Sequence, residues 1–231
     1  MKPNRKHYTL AELVFTSCIG ATVLLTTMSA VQGLDARKIA CTENLRNLGT
    51  AVKMYGDNNK NFVPCQLWKN RDGSYDGSVL DFGNYIGQKY NWSYLLIWGG
   101  YLGEKPQSSF PKGLAGERGR AFLCPEDTQG YTTSSNHSSY YIHVVNDIYA
   151  VRAKRFGGEQ YSRVLIGRDR PENSVVTDIF SYKNSRYKKA THGDFINVLR
   201  LGGEVEPFQV PVQVTKDVWS WIGEDLDEIE L

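Results

Sequence analysis

Charge of one sign is the first thing this 231-residue sequence lacks: Lys+Arg 27 against Asp+Glu 25 leaves a formal charge of +2. Binding to a phosphate backbone puts a basic surplus on the surface, so no nucleic-acid partner is expected. Cysteine is scarce as well. Four Cys residues are too few for a disulfide-dense scaffold, and no Cys-x2-Cys knuckle occurs. His7, His137, His143 and His192 form no pair at i, i+4 and no His-Glu-x-x-His arrangement. A zinc site would have to be assembled from distant His and Cys, whereas zinc ligands usually come in close pairs. There is no Gly-x-Ser-x-Gly elbow, P-loop or dinucleotide fingerprint. No internal repeat or clear linker divides the chain. These absences leave no catalytic residue, cofactor or metal to name, and the chain is not expected to be an enzyme.

What is present is ordinary in bulk and unusual in places. Hydrophobic residues at 41% and charged residues at 23% exclude wholesale disorder. Twenty-two Gly and 14 Tyr point to one loop-rich head with many half-buried aromatics. Residues 13–34 carry no charge between Glu12 and Asp35. A helix needs about 20 residues to cross a hydrocarbon core of about 30 Å, so this run is read as a membrane-spanning helix; a secretory signal has a shorter apolar stretch. Lys2, Arg5 and Lys6 precede it, which by the positive-inside rule keeps the N-terminus in the cytoplasm and the head outside. Leu45, Leu48, Val52 and Tyr55 then recur at steps of three and four, continuing the helix as an amphipathic docking face up to the stop signal Gly56-Asp57-Asn58-Asn59.

Tyr8-Thr9-Leu10-Ala11-Glu12-Leu13, after a short basic leader, resembles the mature start of type IV pilin-like proteins. Cys41-Thr42-Glu43-Asn44-Leu45-Arg46-Asn47-Leu48-Gly49 and Tyr55-Gly56-Asp57-Asn58 resemble segments of a bacterial pseudopilin-like subfamily with prepilin-type N-termini. Asn91-Trp92-Ser93-Tyr94-Leu95-Leu96 and Phe122-Leu123-Cys124-Pro125 resemble short islands of its head. The subfamily closes on His, nine residues and Asp-Gly; here His192 is followed after nine residues by Gly202-Gly203. His7 stands where the family has Gly as the last leader residue.

The resemblance implies a leader over 1–7 cut by a prepilin peptidase between His7 and Tyr8. It implies a transmembrane, pilin-type helix over 8–59 with Glu12 as the assembly residue, and an extracytoplasmic head over 60–231. The expected fold is α+β: a long N-terminal helix, membrane-spanning in its first half, packed on a small, mainly antiparallel sheet. The expected function is a noncatalytic pilin-like subunit of a type II secretion or type IV pilus-like assembly. Its partners are the bacterial inner membrane, which it crosses once, and other pilin-like subunits. A membrane-anchored head that binds an extracytoplasmic glycan is the alternative. Cys41, Cys65 and Cys124 face an oxidising exterior in that orientation, and one pair among them is expected. Cys41 and Cys124 fall on the subfamily's segments, which implies their pairing, with Cys65 as competitor.

Within the head, strands are expected over 140–145, 164–166, 174–178, 195–201 and 204–208 from their β-branched and aromatic content, and a short buried helix over 92–98. Gly202-Gly203 between two apolar runs predicts a tight hairpin with positive φ at both glycines. Lys216 to Leu231 reads as a short amphipathic helix with an acidic end. His192 is the best functional candidate by residue type, and as a residue at a strand entrance it is expected to hydrogen-bond a neighbouring loop. Asp57 to Asn61 and the trio Asp169, Asp178 and Asp194 offer oxygen atoms without the spacing of a cation loop.

Overall fold

The computed structural model describes residues 36–65, 67–69, 75–85, 92–103, 120–128, 137–148, 150, 161–180, 189–211, 214–215, 221–222 and 226–227. Helix α1 covers 36–58. It buries Cys41, Leu45, Leu48, Ala51 and Val52 and exposes Glu43, Arg46 and Lys53, the one-sided pattern its apolar spacing predicts. Glu43 and Arg46 pair along the exposed side. Asn58 Nδ2 donates to the Met54 carbonyl at 2.9 Å and Asn59 Nδ2 to the Tyr55 carbonyl at 2.7 Å, so these amides satisfy carbonyls that the end of the helix would leave open. The Asp57 to Asn61 segment is therefore a helix stop, with Lys60 and Asn61 at positive φ.

The expectation of a long N-terminal helix whose first half spans a membrane is corrected. No helix among the described residues is long and apolar enough to cross one. Helix α1 has the length, but Arg37, Lys38, Glu43, Arg46, Lys53 and Asp57 along it rule out a lipid environment. Residues 13–34, on which that expectation rested, lie outside the described residues, as do His7, Tyr8 and Glu12.

Six strands form one sheet in the order of the sequence: β1 Leu67–Lys69, β2 Tyr75–Tyr85, β3 His137–Val145, β4 Ser174–Asp178, β5 Phe195–Arg200 and β6 Val205–Gln209. Every neighbouring pair is antiparallel. The sequence reading missed β1 and β2, because Gly, Asn and Asp are depleted in strands and this stretch is rich in them. The expected strand at 164–166 reduces to one bridge between Leu165 and Phe62. Between β2 and β3 lies α2, Trp92–Gly99, which buries Trp92, Leu96 and Ile97. Trp92 meets Phe122 edge-on at 5.4 Å.

The middle strands are covered on both faces. Tyr140, Ile142, Val144, Val176 and Leu199 pack with α1 and α2 into one apolar cluster. Tyr141, Ile196 and Val198 point to the opposite face, where Phe180, Val210, Trp221, Ile222 and Leu226 complete a second cluster. The alternation along β3 and β5 assigns each residue its layer. At Gly49 an added Cβ would lie 2.8 Å from Leu199 Cδ1, so glycine permits the close approach of α1 to β5.

A buried ionic knot holds the C-terminal segment against the sheet. Arg163 Nη2 lies 2.6 Å from Asp227 Oδ2, and neither side chain is exposed. Ser174 donates to Asp227 Oδ1 through its N–H at 2.9 Å and its hydroxyl at 2.8 Å. Arg200 Nη1 donates to the Leu226 carbonyl at 2.8 Å. Removing one partner of a buried pair strands the other charge, so Arg163→Met is expected to cost about 3–5 kcal/mol in urea unfolding. The double variant Arg163→Met/Asp227→Leu is expected to recover part of that loss.

The β5–β6 turn differs from the expected two-residue form. Gly203 N–H donates to the Arg200 carbonyl at 2.9 Å, and Arg200 N–H donates to the Glu204 carbonyl at 2.9 Å. This is a three-residue turn with its left-handed residue last. Only Gly203 has positive φ, at 96°, while Gly202 does not. The strain argument therefore belongs to Gly203. Gly203→Val is expected to lose about 1–3 kcal/mol of stability by urea unfolding, and Gly202→Ala clearly less.

Candidate functional site

Three segments distant in sequence converge beside the N-terminal half of α1. The loop 120–128 supplies Cys124 and Glu126, the end of β4 supplies Asp178, and the entrance and body of β5 supply His192 and Asn197. The loop is fixed to the helix by the Cys41–Cys124 disulfide, which joins residues 83 apart in sequence. Asn44 Nδ2 reinforces this by donating to the Leu123 carbonyl at 2.7 Å. Cys65 stays outside the bridge and is half-buried.

The His192 imidazole is fully buried and contacts a carboxylate at each nitrogen. Nδ1 pairs with Glu126 Oε2, and Nε2 lies 3.0 Å from Asp178 Oδ2. Asp178 Oδ2 also accepts the Asn197 N–H at 2.7 Å and Asn197 Nδ2 at 2.8 Å. The 3.1 Å separation of Asn197 Nδ2 from His192 Nε2 then follows from two donors converging on one oxygen. A ring with a carboxylate at both nitrogens is best satisfied as the imidazolium, which donates twice. Phe195 stacks on the ring at 5.1 Å, and Lys38 Nζ sits 5.5 Å from the Phe195 centroid.

Two effects compete at His192. Burial opposes its charge, while the hydrogen bond and charge of Asp178, followed by those of Glu126, favour it; the carboxylates prevail and the pKa is raised above 6.5. His143 behaves oppositely. It is buried with Nε2 3.0 Å from Thr177 Oγ1, and burial, aided by the positive Arg163, pushes its pKa well below 6.5. At Tyr140, burial and then the Asp178 charge push the phenol well above 10.0.

Of the residues singled out from sequence, Cys41, Cys124 and His192 come together, and Cys124 Sγ lies 3.6 Å from His192 Nε2. His192 does bond a neighbouring loop, through Glu126. Gly202 and Gly203 lie at the far end of β5, in the turn. Asp178 joins His192, whereas Asp169 organises its own turn by accepting the N–H groups of Val164 at 2.7 Å and Leu165 at 3.0 Å. Asp194 is exposed. The roles of Glu126 and Asn197 were missed. Glu126 follows the Phe122-Leu123-Cys124-Pro125 island, read for its resemblance and its cysteine, and Asn197 sits inside a run read only for its apolar residues.

No protein-family model, curated protein or solved structure matches this chain. The pilin-like, pseudopilin and secretion terms implied by the N-terminal resemblance thus gain no support from these comparisons, and no helix among the described residues supplies the transmembrane helix.

The raised His192 pKa sets the direction of one pH dependence. The imidazolium's stabilisation is fully present below the unfolded value of about 6.5 and is lost as pH rises through the higher folded value. His143 has a lowered folded pKa, so its contribution is present above about 6.5 and is lost as pH falls. His192→Gln is expected to flatten the alkaline decline in unfolding free energy while leaving the acid-side decline from His143. Urea unfolding across pH 5 to 9 measures both limbs.

Proposed function

We propose that this chain is a noncatalytic structural subunit whose head lies outside the cytoplasm, in an assembly of the kind its N-terminal segments resemble. The observation that carries this reading is the Cys41–Cys124 disulfide, buried and tying α1 to the head. Disulfides of this kind form and persist in oxidising compartments. Closing a loop of that separation removes several kcal/mol of unfolded-chain entropy, on the order of 4–5 kcal/mol in the chain-entropy account.

The polar residues of the head support the same reading. Glu126, His192, Asp178 and Asn197 are directed at one another and hold three segments together, as Arg163, Ser174 and Asp227 do at the other face. The aromatic side chains Trp92, Phe122, Tyr140, Tyr141, Phe180 and Trp221 are buried, which favours a packing role over a glycan-stacking face. The proposed partners are other subunits of the assembly. Glu12 is the proposed contact residue, and the bond between His7 and Tyr8 is the proposed processing point.

Trapping thiols by alkylation in intact cells, followed by non-reducing mass spectrometry, tests the compartment. A Cys41–Cys124 cross-linked peptide is the expected product, and both residues recovered alkylated would refute the extracytoplasmic placement. Assembly is read separately: Glu12→Ala is expected to abolish co-purification with other subunits while leaving the disulfide intact.

A further inference from the structure

The fold brings two sulfurs and a ring nitrogen together around His192. Sγ of Cys41, Sγ of Cys124 and one nitrogen of His192 lie within 4.8 Å of one another, and all three residues are buried. A tetrahedral zinc ion with Zn–S near 2.3 Å and Zn–N near 2.0–2.1 Å holds sulfur and nitrogen about 3.6 Å apart. The separation of Cys124 Sγ from His192 Nε2 is 3.6 Å.

Two further features are those of a metal centre. A metal-binding His usually gives its other nitrogen to a carboxylate, which fixes the ring and raises its basicity; here Glu126 takes Nδ1, while Nε2 lies 3.6 Å from Cys124 Sγ and 3.0 Å from Asp178 Oδ2. Asp178 is wholly buried beside Nε2, and its Oδ1 has no hydrogen-bond partner among the described residues. An unpartnered buried carboxylate oxygen is costly unless a cation or donor meets it.

We propose that reduction of the Cys41–Cys124 disulfide converts this cluster into a site for a zinc-class divalent ion, held by Cys41, Cys124 and His192 Nε2, with Asp178 Oδ2 beside Nε2 at 3.0 Å. A phosphine or thiol supplies the two electrons that cleave the sulfur–sulfur bond, and each sulfur takes up one proton. A phosphine ends as its oxide, with oxygen from water; a thiol reductant ends as its own disulfide. On metal binding the two thiol protons and the Nε2 proton pass to solvent, leaving two thiolates and a neutral imidazole as ligands. In the oxidised chain both sulfurs are committed to each other, so the disulfide and the metal exclude one another. The site goes beyond the structural reading and is independent of it. The compartment of the head decides which state is populated, while the ligand set belongs to the folded chain in either case.

The test is a Co2+ titration of the purified full chain after reduction with a phosphine. One cobalt per chain is expected, with thiolate-to-cobalt charge-transfer absorption and tetrahedral ligand-field bands, both erased by Zn2+ and absent before reduction. His192→Gln is expected to weaken binding at least tenfold. Glu126→Gln, which leaves every ligand in place, is expected to weaken it by about 10–100-fold. Circular dichroism accompanies each titration to establish that the variants fold. A reduced wild-type chain without the charge-transfer band would overturn the proposal, and so would His192→Gln with unchanged cobalt affinity. Neither result bears on thiol trapping in cells, so failure of the metal site and failure of the compartment reading are separately visible.

Discussion

A positively charged ring enclosed by two carboxylates is the contact on which the arrangement of the head depends. His192 cannot satisfy Glu126 and Asp178 together unless the loop 120–128, the end of β4 and the start of β5 meet at one point. That meeting also places Cys124 against α1, where Cys41 is already turned inward by its position on the apolar side of the helix. The disulfide and the ion cluster are thus two parts of one junction. The covalent bond fixes the loop to the helix, and the charges fix the same loop to the sheet. Because the ring is out of water, solvent screening of its attraction to Asp178 is weak, and the same burial makes an unmatched charge there expensive.

The sheet explains why such junctions are needed. With both faces of β3, β4 and β5 buried, the middle of the sheet has no solvent side on which a connecting segment could end without consequence. Each covering layer is secured by its own polar contact. On the helix side this is the His192 cluster; on the other side Arg163, Ser174 and Asp227 fasten the C-terminal segment that brings Trp221, Ile222 and Leu226 onto the sheet. A positive Arg163 and a positive His192 serve opposite layers. His143, between them in the sheet, stays neutral because burial and the nearby Arg163 disfavour its charge.

Local pattern conveyed much of this head and missed what depends on distance. The buried face of α1 was legible because apolar residues at steps of three and four can satisfy only one side of a helix. β3, β4, β5 and β6 were legible from β-branched and aromatic runs, with Gly202-Gly203 marking the reversal between the last two. β2 was not, since its pairing with β3 supplies what its own Gly, Asn and Asp residues do not. The turn at Gly203 was located but given the wrong form, because two adjacent glycines mark a reversal without saying which one carries the positive φ. Asn197 and Glu126 were invisible as site residues for the same kind of reason. Each becomes polar hardware only when His192 arrives from elsewhere in the chain, and no spacing encodes that encounter.

The junction also bears on how the subfamily-like motif is to be understood. The closing segment that begins at His192 and runs to Gly202-Gly203 has two ends with separate physical duties. At Gly203 the duty is conformational, and any residue with a side chain meets strain there. At His192 it is electrostatic, and only a group that can donate from two opposite edges of a planar ring answers both carboxylates. The strand between them, β5, is the rigid spacer that holds one end at the disulfide and the other at the turn, so its length determines whether both can be satisfied together. A spacing of this kind therefore records the geometry of a scaffold, in which the glycine permits the return of β6 and the histidine locks the strand's beginning to the helix.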